Sequence, residues 1–257
     1  MKFRVKRWVG VFLTVGVLGV AIGFVEKKHA ARTCRRIGVR IENELGNYFI
    51  SESDILDLIT HHGNDPLVGN EFKNIDLKSL ERRIKTNKFI RTSQVSRNLK
   101  GDLLVEVQQC VPIARIVAGS AAQAGTPDAY VSQTGQVLPL SDRFTARVVL
   151  VESEYARPLL EMDFTKAEEG QPFLELFRAI DQDPFWKAQI AELYVDRNGE
   201  ITFLPQVGKQ VIEFGTPTEI AAKLRKLKVF YKQILPVKGW DRYRRVSVKF
   251  RNQIVCE

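Results

Sequence analysis

Side chains that could catalyse a reaction or hold a metal ion are few in this sequence and poorly placed for either task. Its three histidines are His29, His61 and His62, so no imidazole is available beyond residue 62. Adjacent histidines do not share a helix face, whereas chelating pairs lie four residues apart. We therefore interpret His61 and His62 as helix-end residues and expect no histidine-based triad or metal site.

Paired carboxylates are the remaining candidates for acid–base chemistry. Glu152 and Glu154, like Glu161 and Asp163, are two residues apart, and on a strand such positions share one face. This arrangement would suit a glycosidase, and a solvated edge explains it equally well. The sequence has neither a phosphate-binding loop nor a dinucleotide-binding glycine pattern. We expect no enzymatic activity and no cofactor.

The three cysteines, Cys34, Cys110 and Cys256, are too widely spaced for a disulfide framework or a zinc knuckle. We expect Cys110 to pack as a small apolar residue and Cys256 to be more exposed. Whether any two of them form a disulfide stays open.

The strongest charge pattern is a basic run near the end of the chain. Between Lys223 and Arg251 there are eleven basic residues and one acidic residue, Asp241. A basic helix followed by a strand at a sheet edge would suit an acidic partner that binds as a strand or a helix. An ordinary solvated face, or one that lies against an anionic polymer or lipid, fits the charge equally well.

The net charge of +9 belongs to the first 40 residues, which hold ten basic side chains and one acidic side chain. The rest of the chain is neutral, with 29 of each sign. A nucleic-acid-binding domain would carry its charge on the folded part, so we expect no nucleic-acid partner.

The basic residues of this first part of the chain flank an uncharged run of 18 residues from Trp8 to Val25. As a helix it would be about 27 Å long, near the bilayer's hydrocarbon thickness of about 30 Å. It is longer than a signal-peptide core and lacks a small-x-small cleavage site, so we predict an uncleaved transmembrane helix over 8–25. Trp8 would lie at the headgroup level, and Gly19 and Gly23 would permit close helix contact. Flanking charge leaves the orientation open, because more basic residues follow the run than precede it.

Residues 39–115 show the pattern of a compact α+β unit. A strand within residues 39–51 is followed by a helix that Ser51 caps, a loop, and a second helix from Leu77 to Asn87 that Asp76 caps. Strands are predicted at 90–97 and 103–109, joined by a polar turn.

Residues 116–257 are mainly β. Strands are predicted at 113–118, 129–132, 136–139, 147–151, 193–196, 200–204, 210–214 and 245–256. Asn198-Gly199 predicts a hairpin turn between the strands at 193–196 and 200–204. One helix is predicted from Pro172 to Ile180, and a second begins at Thr216, with Pro217 in its first turn and Glu219 completing a capping box.

This order of parts resembles the FtsQ/DivIB cell-division proteins, whose first soluble unit is a POTRA domain. The resemblance is carried by FISESDILDLI, IDLKSLERRIKTNKFIRTSQVSRNLKGDLLVEVQQCVPIARI, AYVSQTGQVLPL and RVSVKFRNQIVCE. In the last segment, Ser247, Val248, Lys249 and Phe250 replace the family's Asp-Leu-Arg-Tyr, retaining a basic residue and an aromatic one.

The resemblance implies a type II, single-pass inner-membrane protein, enriched at the division site with its bulk in the periplasm. Residues 1–7 would form the cytoplasmic tail, 26–38 a linker, 39–115 the POTRA-like domain and 116–257 the C-terminal domain. It also implies a non-enzymatic scaffold that links early and late divisome proteins. FtsK-like and septal wall synthesis proteins are further implied partners, with no small-molecule substrate.

In such a protein the FtsB/FtsL pair would bind the last strand and helix. Carried over by position, the contact residues would be Val248, Lys249, Phe250, Asn252, Ile254 and Tyr231.

Two rival hypotheses remain. A POTRA-type periplasmic chaperone or translocation module would receive client strands, and predicts repeated POTRA units or a barrel. A membrane-anchored cell-wall hydrolase would need a catalytic carboxylate.

Overall fold

The computed structural model describes residues 13–18, 20, 33–42, 46–118, 127–154 and 156–257. They form two compact units. The first contains residues 50–109 and the strand before them, and the second contains residues 110–257 together with 45–49. Residues 110–115, which the sequence analysis assigned to the first unit, lie in the second because they begin a strand of its sheet.

The first unit is a three-stranded sheet with two helices. Its elements in chain order are β1 (Arg36–Glu42), α1 (Glu52–Thr60), a 3-10 turn (Phe72–Asn74), α2 (Leu77–Ile84), β2 (Ile90–Arg97) and β3 (Asp102–Gln109). Strand β3 lies in the centre, parallel to β1 and antiparallel to β2. The expected β-α-α-β-β order is thus confirmed, although the first strand begins at Arg36 and ends before the predicted segment does.

Both helix starts in this unit have the caps that the sequence predicts. Ser51 Oγ accepts from the Asp54 backbone N–H at 3.3 Å, and the Asp54 carboxylate accepts from Ser51 N–H at 2.8 Å. Asp76 accepts from the Ser79 N–H at 3.2 Å. His61 and His62 follow α1 in left-handed conformations, with φ of 48° and 56°.

The second unit is built on a nine-stranded sheet. Its strands are β4 (Pro112–Ala118), β5 (Ala129–Ser132), β6 (Val137–Pro139), β7 (Val149–Ser153), β8 (Ile190–Val195), β9 (Ile201–Pro205), β10 (Val211–Gly215), β11 (Arg245–Ser247) and β12 (Val255–Cys256). Their order across the sheet is β12-β11-β10-β9-β8-β7-β4-β5-β6. The Asn198-Gly199 turn joins β8 to β9 as predicted, with Gly199 at φ 75°.

More helices cover this sheet than the two that the sequence predicts. They are α3 (Ala156–Glu161), α4 (Gln171–Gln182), α5 (Pro184–Gln189), α6 (Ile220–Val229), a π turn (Phe230–Ile234) and α7 (Leu235–Lys238). The prediction missed α3 and α5 because six-residue helices are too short to show a periodic apolar face. The largest fully buried side chains are aromatic and belong to this unit: Tyr130, Phe164, Phe177, Phe203, Phe214 and Phe230.

The predicted capping box at Thr216 is wrong. Helix α6 begins at Ile220, because Glu219 has a left-handed φ of 50° and interrupts the helical backbone. The Thr216 carbonyl instead accepts a 2.7 Å hydrogen bond from Lys223 Nζ. After α6 the helical backbone continues through the π turn and then past Pro236 to a cap at Gly239. Proline lacks an N–H and crowds the preceding turn, and a wider π turn accommodates it.

The predicted final strand over 245–256 is also corrected. It is two short strands, β11 parallel to β10 and β12 antiparallel to β11. A turn separates them where Asn252 takes a left-handed φ of 60°, which asparagine tolerates better than most residues.

The predicted transmembrane segment falls mostly outside the described residues, and so do Trp8, Gly19 and Gly23. Within it, residues 13–18 and 20 are helical and exposed. In the part of the chain that the structure describes, no helix combines the length and the apolar character needed to cross a bilayer.

The backbone at Gly170 packs closely against the backbone of Asp163 and Phe164, beside the core of the second unit. A Cβ there would lie 2.6 Å from Phe164 Cα, and Phe164 is fully buried. We expect Gly170→Ala to lower the free energy of unfolding by about 2 kcal/mol, because backbone atoms must move apart. Urea unfolding of the detergent-solubilised chain, followed by circular dichroism, measures this change.

Gly38→Ala is the matched control. Its added Cβ would meet only Leu104 Cδ2 at 3.4 Å, an ordinary contact with a flexible side chain. Equal losses of stability in the two variants would refute the role assigned to Gly170.

Candidate functional site

The candidate site is the sheet edge that β12 forms. Arg245 and Glu257 exchange two backbone hydrogen bonds, of 3.1 and 2.9 Å. In an antiparallel ladder, hydrogen-bonded and non-hydrogen-bonded pairs alternate, so the next pair, Val246 and Cys256, is not hydrogen-bonded. The N–H and C=O of Cys256 therefore point away from β11. This edge can accept another strand through its main chain.

A lysine from α6 holds the turn before this strand. Lys226 Nζ donates to the carbonyl oxygens of Val248 at 2.6 Å, Phe250 at 2.5 Å and Gln253 at 3.4 Å. Burial lowers the pKa of Lys226 from its ordinary value. One ammonium thus fixes three carbonyls, and with them the path of the chain from β11 to β12.

Two of the six predicted contact residues belong to the core. Val248 is fully buried, because it extends the inward-facing end of β11. Tyr231 is 5% exposed and packs edge-on against Phe185 and Trp186, and burial raises its pKa to about 12. Their side chains support the site from beneath and do not form its surface, which corrects the prediction for both.

Lys249 is engaged within the chain. Its Nζ lies 2.6 Å from Glu200 Oε2, and the hydrogen bond with that carboxylate raises the pKa of Lys249. The alkyl stem of Lys249 passes close to Gly215, where a Cβ would lie 3.0 Å from Lys249 Cγ. The Lys249 ammonium is thus already paired with a carboxylate of the same chain.

The other three predicted residues lie on or beside the edge. Phe250 is 52% exposed, and Asn252 supplies the left-handed turn. Ile254 is half-buried and packs against the core next to β12. Phe250 therefore offers an exposed side chain in the turn before β12, whereas Ile254 contributes mainly to packing.

A groove of about 570 Å³ lies between α6 and the turn after β11. Its walls include two exposed cations, Arg225 and Arg251, and apolar side chains that are at least partly exposed: Ala222, Val229 and Ile254. Glu219 is the acidic residue in its lining. The groove therefore combines apolar surface with positive charge beside the strand edge.

The basic run divides into two groups. Five members bind other parts of the chain: Lys223 on Thr216, Lys226 on the turn, Lys228 on Asp183, Arg245 on Glu213 and Lys249 on Glu200. The other six are exposed: Arg225, Lys232, Lys238, Arg242, Arg244 and Arg251. These six, together with the exposed Arg245, are the members that an acidic partner could reach.

Three of the four carboxylates in the predicted pairs are held by other side chains. Glu154 pairs with Arg197 at 3.4 Å, and Glu161 with Arg157 at 3.3 Å. Asp163 is held by Thr165, whose hydrogen bonds lower the pKa of Asp163. Across the described ranges, no three His, Cys, Asp or Glu residues are grouped to hold a metal ion.

Sequence reasoning missed the cap that Lys226 forms, the groove and the orientation of Cys256. Lys226 was visible only as one of many basic residues, because the carbonyls that it binds lie more than 20 residues later. The strand alternation could have indicated which main-chain groups face outward, but only once the break at Asn252 was known.

Comparison with models of protein families identifies the family of the chain. The model described as FtsQ/DivIB, C-terminal related matches residues 111–257, and the model of the POTRA-like domain matches residues 32–108. The chain belongs to the FtsQ/DivIB family. These families are typically non-enzymatic scaffolds, and this membership makes the chain a division-related protein with a POTRA-like domain. No curated protein matches the chain significantly.

Removing the Lys226 ammonium tests how the turn is held. We expect Lys226→Met to increase amide hydrogen exchange over residues 248–257 and to lower the free energy of unfolding by about 1 kcal/mol, because water replaces the charged donor at half-exposed carbonyls. Hydrogen exchange with mass spectrometry measures this directly.

Arg225→Met, one residue earlier and exposed, removes a cation without touching the turn. Unchanged exchange over 248–257 in Lys226→Met, or an equal increase in Arg225→Met, would show that the ammonium does not fix the segment.

Proposed function

We propose that the chain is a membrane-anchored, non-enzymatic scaffold of the bacterial division machinery, with the run from Trp8 to Val25 as its anchor. It links early and late divisome proteins and binds the FtsB/FtsL pair at the β12 edge. Its bulk lies in the periplasm. FtsK-like and septal wall synthesis proteins are its further partners.

One observation carries the partner site: the main chain of Cys256 faces outward at the end of the nine-stranded sheet. Strand addition uses such groups, because each backbone hydrogen bond to the partner replaces one to water while side chains select the sequence. Family membership supports a division protein as the incoming chain.

The side chains around the β12 edge indicate what kind of partner segment would bind there. Phe250 offers an exposed aromatic ring, and the groove beside α6 holds the exposed guanidinium groups of Arg225 and Arg251. A partner that combines one extended stretch, an apolar contact for Phe250 and acidic side chains over the groove matches this surface. Arg225 and Arg251 replace Lys249 in our proposal as the groups that select negative charge.

Cys256→Pro tests strand addition. Proline removes the outward N–H at a position that makes no hydrogen bond to β11, and proline is tolerated on edge strands. We expect at least a tenfold weaker capture of the cognate FtsB/FtsL-type proteins, which corresponds to about 1.4 kcal/mol. Capture is measured by crosslinking in membranes followed by purification of the full chain.

Cys256→Ala is the matched control, because it removes the thiol and keeps the N–H. We expect its capture to equal that of the unaltered chain. Full capture by Cys256→Pro would refute strand addition at this edge, and equal capture of unrelated unfolded chains would favour the alternative, a POTRA-type chaperone or translocation module.

Phe250→Asp tests the side-chain contact. Phe250 is half-exposed, so the substitution should leave the fold intact. We expect it to weaken partner capture by about tenfold, because the apolar contact is lost and the new carboxylate repels the acidic side chains of the partner. Val237→Asp, which changes a 79% exposed apolar residue on α7, is the control.

Equal capture by the Phe250→Asp variant and the unaltered chain would remove Phe250 from the site. Deleting residues 246–257 is a poorer experiment, because Val246 and Val248 are fully buried and the deletion would damage the core.

A further inference from the structure

A second surface lies at the end of the first unit where the chain enters β1. Two loops meet there beside residues 33–35. Cys34 exchanges backbone hydrogen bonds of 2.8 Å with Gly69 and Asn70, and Arg35 N–H donates to the Gly101 carbonyl at 2.8 Å. We call the side chains of Arg35, Val68, Leu99 and Lys100 the loop-tip surface.

The loop-tip surface exposes apolar side chains that the first unit does not need for its core. Leu99 is 77% exposed and Val68 is 54% exposed, more than any other large apolar side chain described in residues 33–42 and 50–109. Both lie in loops, next to Lys100 and Gly69 respectively. Binding to an anionic membrane interface combines buried apolar area with attraction of basic residues, and exposed apolar and basic side chains lie side by side here.

The loop-tip surface carries a net positive charge. An open groove of about 810 Å³ at this surface is lined by Arg35, Arg36, Lys100 and Asp102, among others. Arg36 Nε lies 3.0 Å from Asp102 Oδ1, and the hydrogen bond from Arg36 holds the pKa of Asp102 below its ordinary value. The one carboxylate is thus neutralised, and Arg35 and Lys100 remain as exposed cations.

Chain connectivity limits how far this surface can be from a membrane. Thr33 follows Val25, the end of the uncharged run, by eight residues. Eight residues span at most about 29 Å when fully extended. The segment between them also contains Lys27, Lys28 and Arg32 against Glu26.

We propose that the loop-tip surface docks onto anionic phospholipid headgroups, with Arg35 and Lys100 at the phosphates and Leu99 and Val68 at the boundary of the acyl chains. This inference rests on the membrane anchoring in the proposed function. Docking would fix the first unit against the bilayer by a contact separate from the anchor, so that the unit does not swing freely on its linker.

The test uses the full chain in lipid nanodiscs with a nitroxide at Leu99→Cys, in a Cys256→Ala background. Cys34 and Cys110 are 1% exposed and should not be labelled. The control label is Lys85→Cys, at an exposed residue that caps the C-terminal end of α2 and is outside the loop-tip surface. Collision with oxygen reports lipid exposure, and collision with a nickel complex reports water exposure.

With phosphatidylglycerol present, we expect the label at 99 to favour oxygen and the label at 85 to favour nickel. Pure phosphatidylcholine, or Arg35→Gln combined with Lys100→Gln, should reduce the docked fraction by about tenfold. A label at 99 that behaves like the one at 85, lipid contact equal in both lipids, or a label shielded from both reagents by protein would overturn the proposal. Docking failure in a chain that enters nanodiscs leaves the anchor intact, whereas a chain that does not enter them contradicts both proposals.

Discussion

The ammonium of Lys226 is the contact on which the proposed partner site depends. Backbone carbonyls in a turn need donors, and here a single cation from the neighbouring helix bonds to those of Val248, Phe250 and Gln253. Hydrogen bonds to a charged donor are stronger than neutral ones, and partial burial limits competition from water. This contact sets where Phe250 projects and where β12 begins.

The core beneath the edge explains why a two-residue strand can be ordered at all. Val246 and Val248 are fully buried, and β11 is hydrogen-bonded to β10 as well as to β12. Lys223 is buried under the start of α6, where its Nζ lies 5.0 Å from the centre of the Phe214 ring and burial lowers its pKa. Basic side chains that look like a binding surface in the sequence are thus partly structural supports.

Local signals predicted well where neighbours in sequence determine the structure. The caps at Ser51 and Asp76 and the Asn198-Gly199 turn depend on contacts across two to four residues, and all three were predicted. The Thr216 cap failed because Glu219 and the Lys223 contact override a favourable local pattern. Tyr231 and Lys249 could not be assigned from sequence, because Tyr231 packs against Phe185 and Trp186 and Lys249 pairs with Glu200, all more than 40 residues earlier in the chain. The burial of Val248 likewise depends on the core of the whole second unit.

Comparison of the four strand edges in the described parts of the chain explains why β12 is the one suited to a partner. In the smaller sheet, β2 has its Val95 N–H satisfied by the Glu81 carboxylate at 2.9 Å, and β1 carries the charges of Arg36 and Arg40. In the larger sheet, β6 is three residues long and ends in Pro139, which has no N–H to offer. Charge, proline and side-chain capping are the ordinary ways to prevent strand pairing. Strand β12 is only two residues long, but Ile254, Val255 and Cys256 bring neither charge nor proline to its edge, and Ile254 also lines the cationic groove.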